Sequence, residues 1–219
     1  MKRIGLFGGT FNPIHLGHLR AGEEVGELFG LDPVIFIPSA SPPHKPGGEI
    51  VAAPRRLEMV RLAVADNPRF SVSAVELERP GKSYSVETVS HFRRIYGADT
   101  PLHFILGLDA FREIDTWKEY AALFSLCHFI LMTRPGSDRS PASLPIERAE
   151  AFCYDEVKNV YVHRTGGLVF PAEITALDIS GTKIRERLSR GSSIRYLLPA
   201  AVEEFIYRHK LYQTEAPKH

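Results

Sequence analysis

The first eighteen residues contain the pattern that most limits what this chain can fold into. A short apolar run, Ile4–Phe7, predicts a buried strand, and a helix follows it closely. Between the two, Gly8 and Gly9 let the backbone approach an anion without a Cβ in the way. His15 and His18 are three residues apart and therefore share one face of the helix. The unit predicts an anion site at a helix N-terminus, beyond the carboxyl end of a strand.

Strand-like and helical segments alternate along the rest of the chain, which predicts an α/β fold. The predicted strands are Ile4–Phe7, Val34–Ile37, Phe70–Val75, His103–Leu106, Phe129–Met132 and Asn159–His163. The predicted helices are His15–Phe29, Arg55–Ala65, Val86–Tyr96, Thr182–Arg190 and Pro199–His209. We expect a Rossmann-like, doubly wound parallel sheet with helices on both faces and a helical C-terminal part. Ligands of such sheets bind beyond the carboxyl ends of the strands, where the glycine loop lies.

Length and composition bound the remaining possibilities. The 219 residues predict one domain over 1–212, followed by a frayed polar tail at 213–219. A net charge of +1 gives no reason to expect a nucleic-acid or membrane partner. Because a core strand begins at once, we expect no signal peptide and a cytoplasmic protein. Cys127 and Cys153 lie outside any C-x-x-C pair, so zinc is not expected, although a disulfide between them stays open. The sequence does not fix an oligomeric state.

A second anion-binding pattern lies near the C-terminus, at Ile179–Arg185. Ser180 is a good N-cap for the helix that follows, and Thr182 adds a hydroxyl to the same helix start. Arg185, one turn further, has the fork geometry that suits phosphate oxygens. Taken alone, this segment is equally typical of an ordinary capped helix with a surface arginine.

A third pattern is the proline-rich segment Ser41–Pro46. Its prolines lower the entropy lost when a loop becomes ordered, and Lys45 is a mobile point charge suited to a triphosphate. His44 stands beside it. Taken alone, such a segment is most often only a loop.

Together these segments resemble one enzyme family. Gly8–His18 and Ile179–Arg185 resemble the T/H-x-G-H and I-S-x-T-x-I-R signatures of the nucleotidyltransferase α/β-phosphodiesterase superfamily, and P-P-H-K at 42–45 resembles the bacterial nicotinate-nucleotide adenylyltransferases. Further segments resemble that family in the same order, from Ile4 to about Tyr212: Ser83-Tyr84-Ser85-x-x-Thr88, Gly107-Leu108-Asp109 followed by Trp117, and Thr133-Arg134-Pro135-Gly136. The chain departs from the family pattern at Asn12, where aspartate is frequent, and at Gly181, where serine or alanine is usual.

The resemblance implies an enzyme that transfers AMP from ATP to nicotinate mononucleotide, giving deamido-NAD and pyrophosphate. ATP would carry Mg²⁺, and no metal ligands are expected in the protein. The implied catalytic residues are His15, His18, Lys45 and Arg185. The implied ATP-binding residues are Gly8, Gly9, Thr10, Phe11, His15, His18, Ser180, Thr182 and Arg185. The implied substrate-binding residues are His44, Lys45, Ser83, Tyr84, Thr88, Asp109, Trp117, Lys118 and Arg134.

Alternative interpretations remain at this stage. Trp117 is also the kind of residue that anchors a core, and Asp109 suits a helix cap. The acceptor could be nicotinamide mononucleotide or phosphopantetheine, and a cytidylyltransferase is related. A nucleotide-binding regulator without turnover is the alternative from another class, although such a protein need not keep His15, His18, Lys45 and Arg185.

Overall fold

The computed structural model describes residues 2–41, 50–133 and 151–213. Its strands are β1 (Ile4–Gly9), β2 (Val34–Pro38), β3 (Phe70–Val72), β4 (Leu102–Gly107), β5 (His128–Thr133), β6 (Phe152–Asp155), β7 (Val160–His163) and β8 (Leu168–Glu173). Its α-helices are α1 (Leu16–Phe29), α2 (Ala53–Val64), α3 (Ser85–Tyr96), α4 (Leu108–Arg112), α5 (Tyr120–Leu126), α6 (Gly181–Ser189) and α7 (Ala200–Arg208). A 3₁₀ turn covers Ile114–Thr116.

The strands form one sheet in the order β3-β2-β1-β4-β5-β8-β7-β6. Neighbours from β3 to β8 run parallel, whereas β7 and β6 close the far edge as antiparallel strands. The predicted α/β fold with a parallel sheet is therefore confirmed, with an antiparallel edge added. From β1 the chain passes outward to β2 and β3, then returns to place β4 on the other side of β1. The carboxyl ends of β1 and β4, where this reversal occurs, are the usual ligand position in such sheets.

Each face of the sheet buries an apolar layer. Val25 of α1, Met59 of α2 and Ile206 of α7 belong to one layer and are fully buried. Val89 of α3 and Leu123 of α5 belong to the layer on the other face and are also fully buried. Each such side chain contributes roughly 1.5–3 kcal/mol by leaving water. Helices packed on both faces hold the sheet rigid, so the loops at its carboxyl edge start from fixed positions.

Most predicted elements are present with ends shifted by a few residues. α1 ends at Gly30, which adopts φ +60°, a conformation that glycine reaches without the Cβ penalty. α3 begins at Ser85, and Tyr84 is its N-cap. None of the helices in the described residues is both long and apolar enough to cross a bilayer.

Two strands, β6 and β8, were not predicted. β8 contains Pro171, and a proline argues against a central strand because it has no N–H for the ladder. The structure accommodates it because β7 pairs only with Leu168 and Val169 of β8, so Pro171 lies beyond that pairing. β6 is short and only partly buried, and it gains its order by pairing with β7.

Candidate active site

Two groups of residues lie at the carboxyl edge of the sheet. We call one the nucleotide side, formed by Thr10–His18, Gly181–Arg185 and Tyr212. We call the other the acceptor side, formed by Glu76, Arg79, Ser83–Thr88 and Trp117–Lys118. The predicted residues Gly8 and Gly9 end β1 and lead into the nucleotide side.

His15 and His18 lie at the start of α1 with their rings stacked. His15 is the N-cap of α1, and the two ring centroids are 3.7 Å apart with a 30° interplanar angle. The backbone N–H of His15 donates to Nδ1 of His18 at 3.3 Å. Because this bond occupies the Nδ1 lone pair, it assigns the hydrogen of a neutral His18 ring to Nε2. His18 can therefore present an N–H donor to an anion while remaining uncharged.

The two histidines differ in exposure. Only 6% of His15 is exposed, and burial lowers its pKa to about 4. Its Nδ1 is buried and has no hydrogen-bond partner within the part of the chain that the structure describes. At neutral pH His15 is therefore an uncharged imidazole packed beneath the partly exposed ring of His18.

The start of α6 meets the loop between β1 and α1, residues 10–15, which we call the nucleotide loop. The Ser180 hydroxyl accepts the N–H of Lys183 at 3.2 Å, so its predicted capping role is confirmed. Arg185 Nη1 donates to the carbonyl of Asn12, 173 residues earlier, at 2.8 Å, and Nη2 donates to Oγ1 of Thr182 at 3.3 Å. A Cβ at position 181 would lie 2.9 Å from the same Asn12 carbonyl, which explains why glycine stands there. The two sequence signatures thus form one site.

The C-terminal segment also reaches this loop. Tyr212 Oη donates to Oδ1 of Asn12 at 2.7 Å, across 200 residues of sequence. Burial raises the pKa of Tyr212, so the phenol keeps its hydrogen and acts as a donor. The N–H of Val51 donates to the same Asn12 oxygen at 3.2 Å. Asn12 meets both donors with a neutral oxygen. No local sequence signal marks Tyr212, because its partner is distant in the chain.

On the acceptor side, two predicted residues have roles inside the protein. Ser83 Oγ accepts the N–H groups of Ala40 and Ser41 at 2.9 and 3.3 Å, which ties the start of α3 to the segment after β2. Thr88 is only 1% exposed. Its hydroxyl donates to Glu76 Oε1 at 2.7 Å and accepts from Arg79 Nη2 at 2.6 Å. The expectation that Thr88 binds the substrate is therefore corrected, because burial and these bonds engage its hydroxyl inside the protein.

Trp117 and Lys118 lie beside α3. The half-buried indole of Trp117 meets Phe104 edge-on, with centroids 6.1 Å apart, and its backbone N–H donates to the carbonyl of Ile114 at 3.0 Å. Lys118 Nζ donates to Glu87 Oε1 at 2.8 Å and lies 4.7 Å from the centroid of the Tyr84 ring. The Lys118 ammonium is thus paired with Glu87 in this arrangement.

Asp109 does not cap a helix. The N-cap of α4 is Gly107, and Asp109 is the second residue of the helix. Its side chain is 93% exposed and accepts from Arg112 at 3.5 Å. The predicted residues His44, Lys45 and Arg134 lie outside the described residues. Within the described ranges, no group of three or more His, Cys, Asp or Glu side chains could hold a metal ion.

Comparison with known proteins places this chain in a family. A family model described as cytidylyltransferase-like matches residues 6–187. The chain is 48% identical over 216 residues to the probable nicotinate-nucleotide adenylyltransferase of Syntrophotalea carbinolica, covering 97% of this chain and 98% of that protein. It is 50% identical over 213 residues to the one from Citrifermentans bemidjiense, covering 96% and 98%. The chain belongs to the nicotinate-nucleotide adenylyltransferase family.

Solved structures support the fold assignment. The nicotinic acid mononucleotide adenylyltransferase of Plasmodium falciparum, complexed with NaAD, matches with a TM-score of 0.74 over 97% of this chain and 98% of that chain. At 16% sequence identity, this likeness speaks for the fold alone. The adenylyltransferase family predicted from the sequence motifs is thus confirmed by the relatives, and the α/β fold by the structures.

Proposed function

We propose that this chain transfers AMP from ATP to nicotinate mononucleotide, releasing pyrophosphate and forming deamido-NAD, a step of NAD biosynthesis. The observation that supports it most directly is the meeting of the two phosphate-binding motifs. The N-termini of α1 and α6 converge on Asn12, joined by the 2.8 Å bond from Arg185. Two helix N-termini, each with backbone N–H groups, form a strong field for a polyphosphate.

On the nucleotide side, His18 would donate from Nε2 to the oxygens around the α-phosphorus, with His15 alongside. Arg185 and Lys45 would bind the β- and γ-phosphates that leave as pyrophosphate. The backbone of Gly9 and Thr10, and the start of α6, would add neutral donors. These groups would stabilise the negative charge that moves onto pyrophosphate in the transition state, where preorganised donors contribute most.

On the acceptor side, Trp117 would stack on the pyridine ring of the mononucleotide. Within the described residues no side chain caps the N-terminus of α3, so its first backbone N–H groups, at Ser85 and Val86, are suitable donors for the pyridine carboxylate. The backbone N–H of Lys118 is a further candidate. Thr88, Glu76 and Arg79 would hold this helix start in place from behind.

The chemistry needs alignment more than proton transfer. The 5′-phosphate of the mononucleotide is already ionised at neutral pH, so it can attack the α-phosphorus in line without a general base. ATP would arrive as its Mg²⁺ complex, with the metal held by phosphate oxygens and water, as Mg²⁺ prefers. Because attack is direct, no adenylylated enzyme should accumulate.

Pyrophosphate release is the measurement that tests this function. With MgATP and nicotinate mononucleotide the protein should release pyrophosphate and form deamido-NAD, whereas CTP in place of ATP should be a poor substrate. One in-line step inverts configuration at the α-phosphorus, which a chiral α-thio ATP would report. Retention would reveal two displacements and a covalent intermediate. If no pyridine nucleotide supports pyrophosphate release, the proposal is wrong.

A separate test asks whether the two sides bind different substrates. Arg185→Ala and Lys45→Ala should weaken productive use of ATP while leaving the binding of nicotinate mononucleotide nearly intact, because both residues are assigned to the leaving pyrophosphate. Equal losses of affinity for both substrates would contradict the assignment.

A further inference from the structure

Arg56 is a buried cation that no sequence motif singled out. It lies in the first turns of α2 and is only 1% exposed. Desolvation lowers the pKa of its guanidinium, and the negative charge of nearby groups such as Glu76 opposes this effect. An arginine remains charged even so, and burying an unpaired charge is costly. The side chain must therefore be held by strong compensating bonds.

Four backbone carbonyls provide those bonds. Nε donates to Val51 at 2.8 Å and Nη1 donates to Thr10 at 2.7 Å. Nη2 donates to Ser39 at 2.6 Å and to Ala40 at 3.2 Å. Thr10 follows β1, Ser39 and Ala40 follow β2, and Val51 precedes α2. One guanidinium thus joins three chain segments at the carboxyl edge, where the sheet itself has ended.

These bonds also set the direction of the N–H groups on the far side of each peptide unit. In a planar trans peptide, the C=O and the N–H point in opposite directions. Because Arg56 attracts the carbonyls of Ser39 and Ala40, the N–H groups of Ala40 and Ser41 point away from it. Both donate to Ser83 Oγ, at 2.9 and 3.3 Å. Arg56 therefore acts through two peptide units on the residue that precedes α3 on the acceptor side.

The same reasoning applies to the nucleotide loop. The Thr10 carbonyl points at Arg56, so the N–H of Phe11 is directed away from it. That N–H makes no hydrogen bond within residues 2–41, 50–133 and 151–213. Phe11 has φ +46°, a strained conformation for a bulky residue that persists only where its surroundings hold it. The bond from Arg56 to Thr10 is one of those constraints.

A second path leads from Arg56 to the same loop through Val51. The carbonyl of Val51 accepts from Arg56, while its N–H donates to Oδ1 of Asn12 at 3.2 Å. Asn12 is also the residue whose carbonyl accepts from Arg185. Arg56 thus holds the Thr10–Phe11 peptide directly and contributes, through Val51, to holding the Asn12 side chain.

We propose that Arg56 is a positioning residue for adenylyl transfer, which orients the Thr10–Phe11 peptide on the nucleotide side and the start of α3 on the acceptor side. It touches neither substrate. This inference rests on the proposed function, since a fixed distance between the two sides matters only if two bound molecules react there.

The test compares Arg56→Lys with Arg55→Lys. Lysine keeps the charge but cannot reach four carbonyls in three directions, so at least one segment loses its donor. We expect kcat for deamido-NAD formation to fall roughly 10- to 100-fold, because a reacting group misplaced by about 1 Å costs on that scale, with smaller changes in both KM values. Arg55 is the matched control, since it is exposed and faces α7, where it meets His209 and Phe205. Arg55→Lys should remain near the wild-type rate.

Amide hydrogen exchange supplies a readout that does not depend on activity. In Arg56→Lys the amides of Ala40 and Ser41 should exchange about tenfold faster or more, while the amide of Val25 in the core of α1 should stay as in the wild type. If Arg56→Lys does not fold, Ser83→Ala removes the acceptor of the same two N–H groups and should accelerate the same two amides. A folded Arg56→Lys with wild-type kcat would overturn the inference, as would a uniform acceleration of all amides. If the wild type releases no pyrophosphate, the proposed function fails, while the exchange pattern still decides whether Arg56 orients these peptides.

Discussion

The two sides of the candidate site are held together in different ways. On the nucleotide side, distant side chains bind backbone groups of one short loop: Arg56 and Arg185 donate to the carbonyls of Thr10 and Asn12, and Tyr212 donates to the Asn12 side chain. On the acceptor side, polar and charged side chains bind one another. Arg79, Thr88 and Glu76 form a chain of hydrogen bonds, and Lys118 pairs with Glu87.

This difference fits the role that the proposed function gives to each side. A loop fixed by bonds to its backbone cannot turn its N–H groups when a ligand arrives, so under the proposed function the donors for the leaving phosphates would be aligned beforehand. A network of side chains can exchange partners at lower cost, which would suit the proposed stacking of a pyridine ring on the acceptor side. The nucleotide side should therefore respond to substitution mainly in kcat and in KM for ATP, and the acceptor side mainly in the choice of acceptor substrate.

The largest effect should come from His18→Ala on the nucleotide side. Removing a preorganised donor near the α-phosphorus should lower kcat for pyrophosphate release roughly 10²- to 10⁴-fold. The fold should survive, because the His18 ring is partly exposed and packs on His15 at the edge of the core.

Thermal unfolding of the same variant supplies the control for this prediction. A variant that melts like the wild type and turns over at a near-normal rate would show that His18 has no part in catalysis. It would also remove the main functional distinction between the two sides.

Acid should destabilise the nucleotide side through His15. Burial holds the pKa of this imidazole at about 4, below its ordinary 6.5. Between pH 6.5 and 4 the unfolded chain therefore binds a proton that the folded protein does not, so stability falls as the pH is lowered through this window. His103, at the amino edge of the sheet, has its pKa lowered to about 4 mainly by burial, with the charges of His128 and Arg3 acting in the same direction. Each imidazole should account for a loss of about 2 kcal/mol in unfolding free energy between pH 7 and 5.

Urea unfolding at the two pH values checks this prediction. His103→Phe and His15→Phe should each reduce the loss of unfolding free energy between pH 7 and 5 by the contribution of one imidazole. This holds whether or not the substitution changes stability at pH 7. If His15→Phe leaves the acid loss unchanged, the acid sensitivity does not lie on the nucleotide side.

The sequence predicted the residues that act through local patterns better than those whose partners are distant in the chain. Residues that act through local pattern were found: the stacked histidines follow from their spacing, and the Ser180 cap follows from its place before a helix. Arg56 and Tyr212 were missed, because their partners are carbonyls and an amide brought close only by the fold. Thr88 was assigned to the ligand because a motif names a residue but not the direction of its hydroxyl, which Glu76 decides. β8 was also missed, because its proline argues against a strand, whereas its pairing is set by its neighbours in the sheet.

The acceptor side should prefer the pyridine carboxylate over the carboxamide by at least about tenfold in kcat/KM, or about 1.4 kcal/mol. The donors available there are backbone N–H groups at the start of α3 and at Lys118. A carboxylate accepts at both oxygens, whereas a carboxamide sets an NH₂ group against one donor and leaves it unpaired, at a cost of roughly 1–3 kcal/mol. The measurement is kcat/KM for nicotinate and nicotinamide mononucleotides. Equal values would make the enzyme dual-specific and would remove this role of the acceptor side.

The smallest effect should come from Tyr212→Phe, which deletes one hydrogen bond to the nucleotide loop and keeps the ring. Asn12 Oδ1 retains the N–H of Val51 as a donor, so the free energy of unfolding should fall by only about 1 kcal/mol. Because the lost bond holds the nucleotide side, KM for ATP should rise severalfold while KM for nicotinate mononucleotide stays unchanged. Tyr207→Phe is the control, since that ring belongs to α7 and is 42% exposed. A shift in the mononucleotide KM as large as that for ATP would mean that the two sides move together, and that their different construction does not separate their functions.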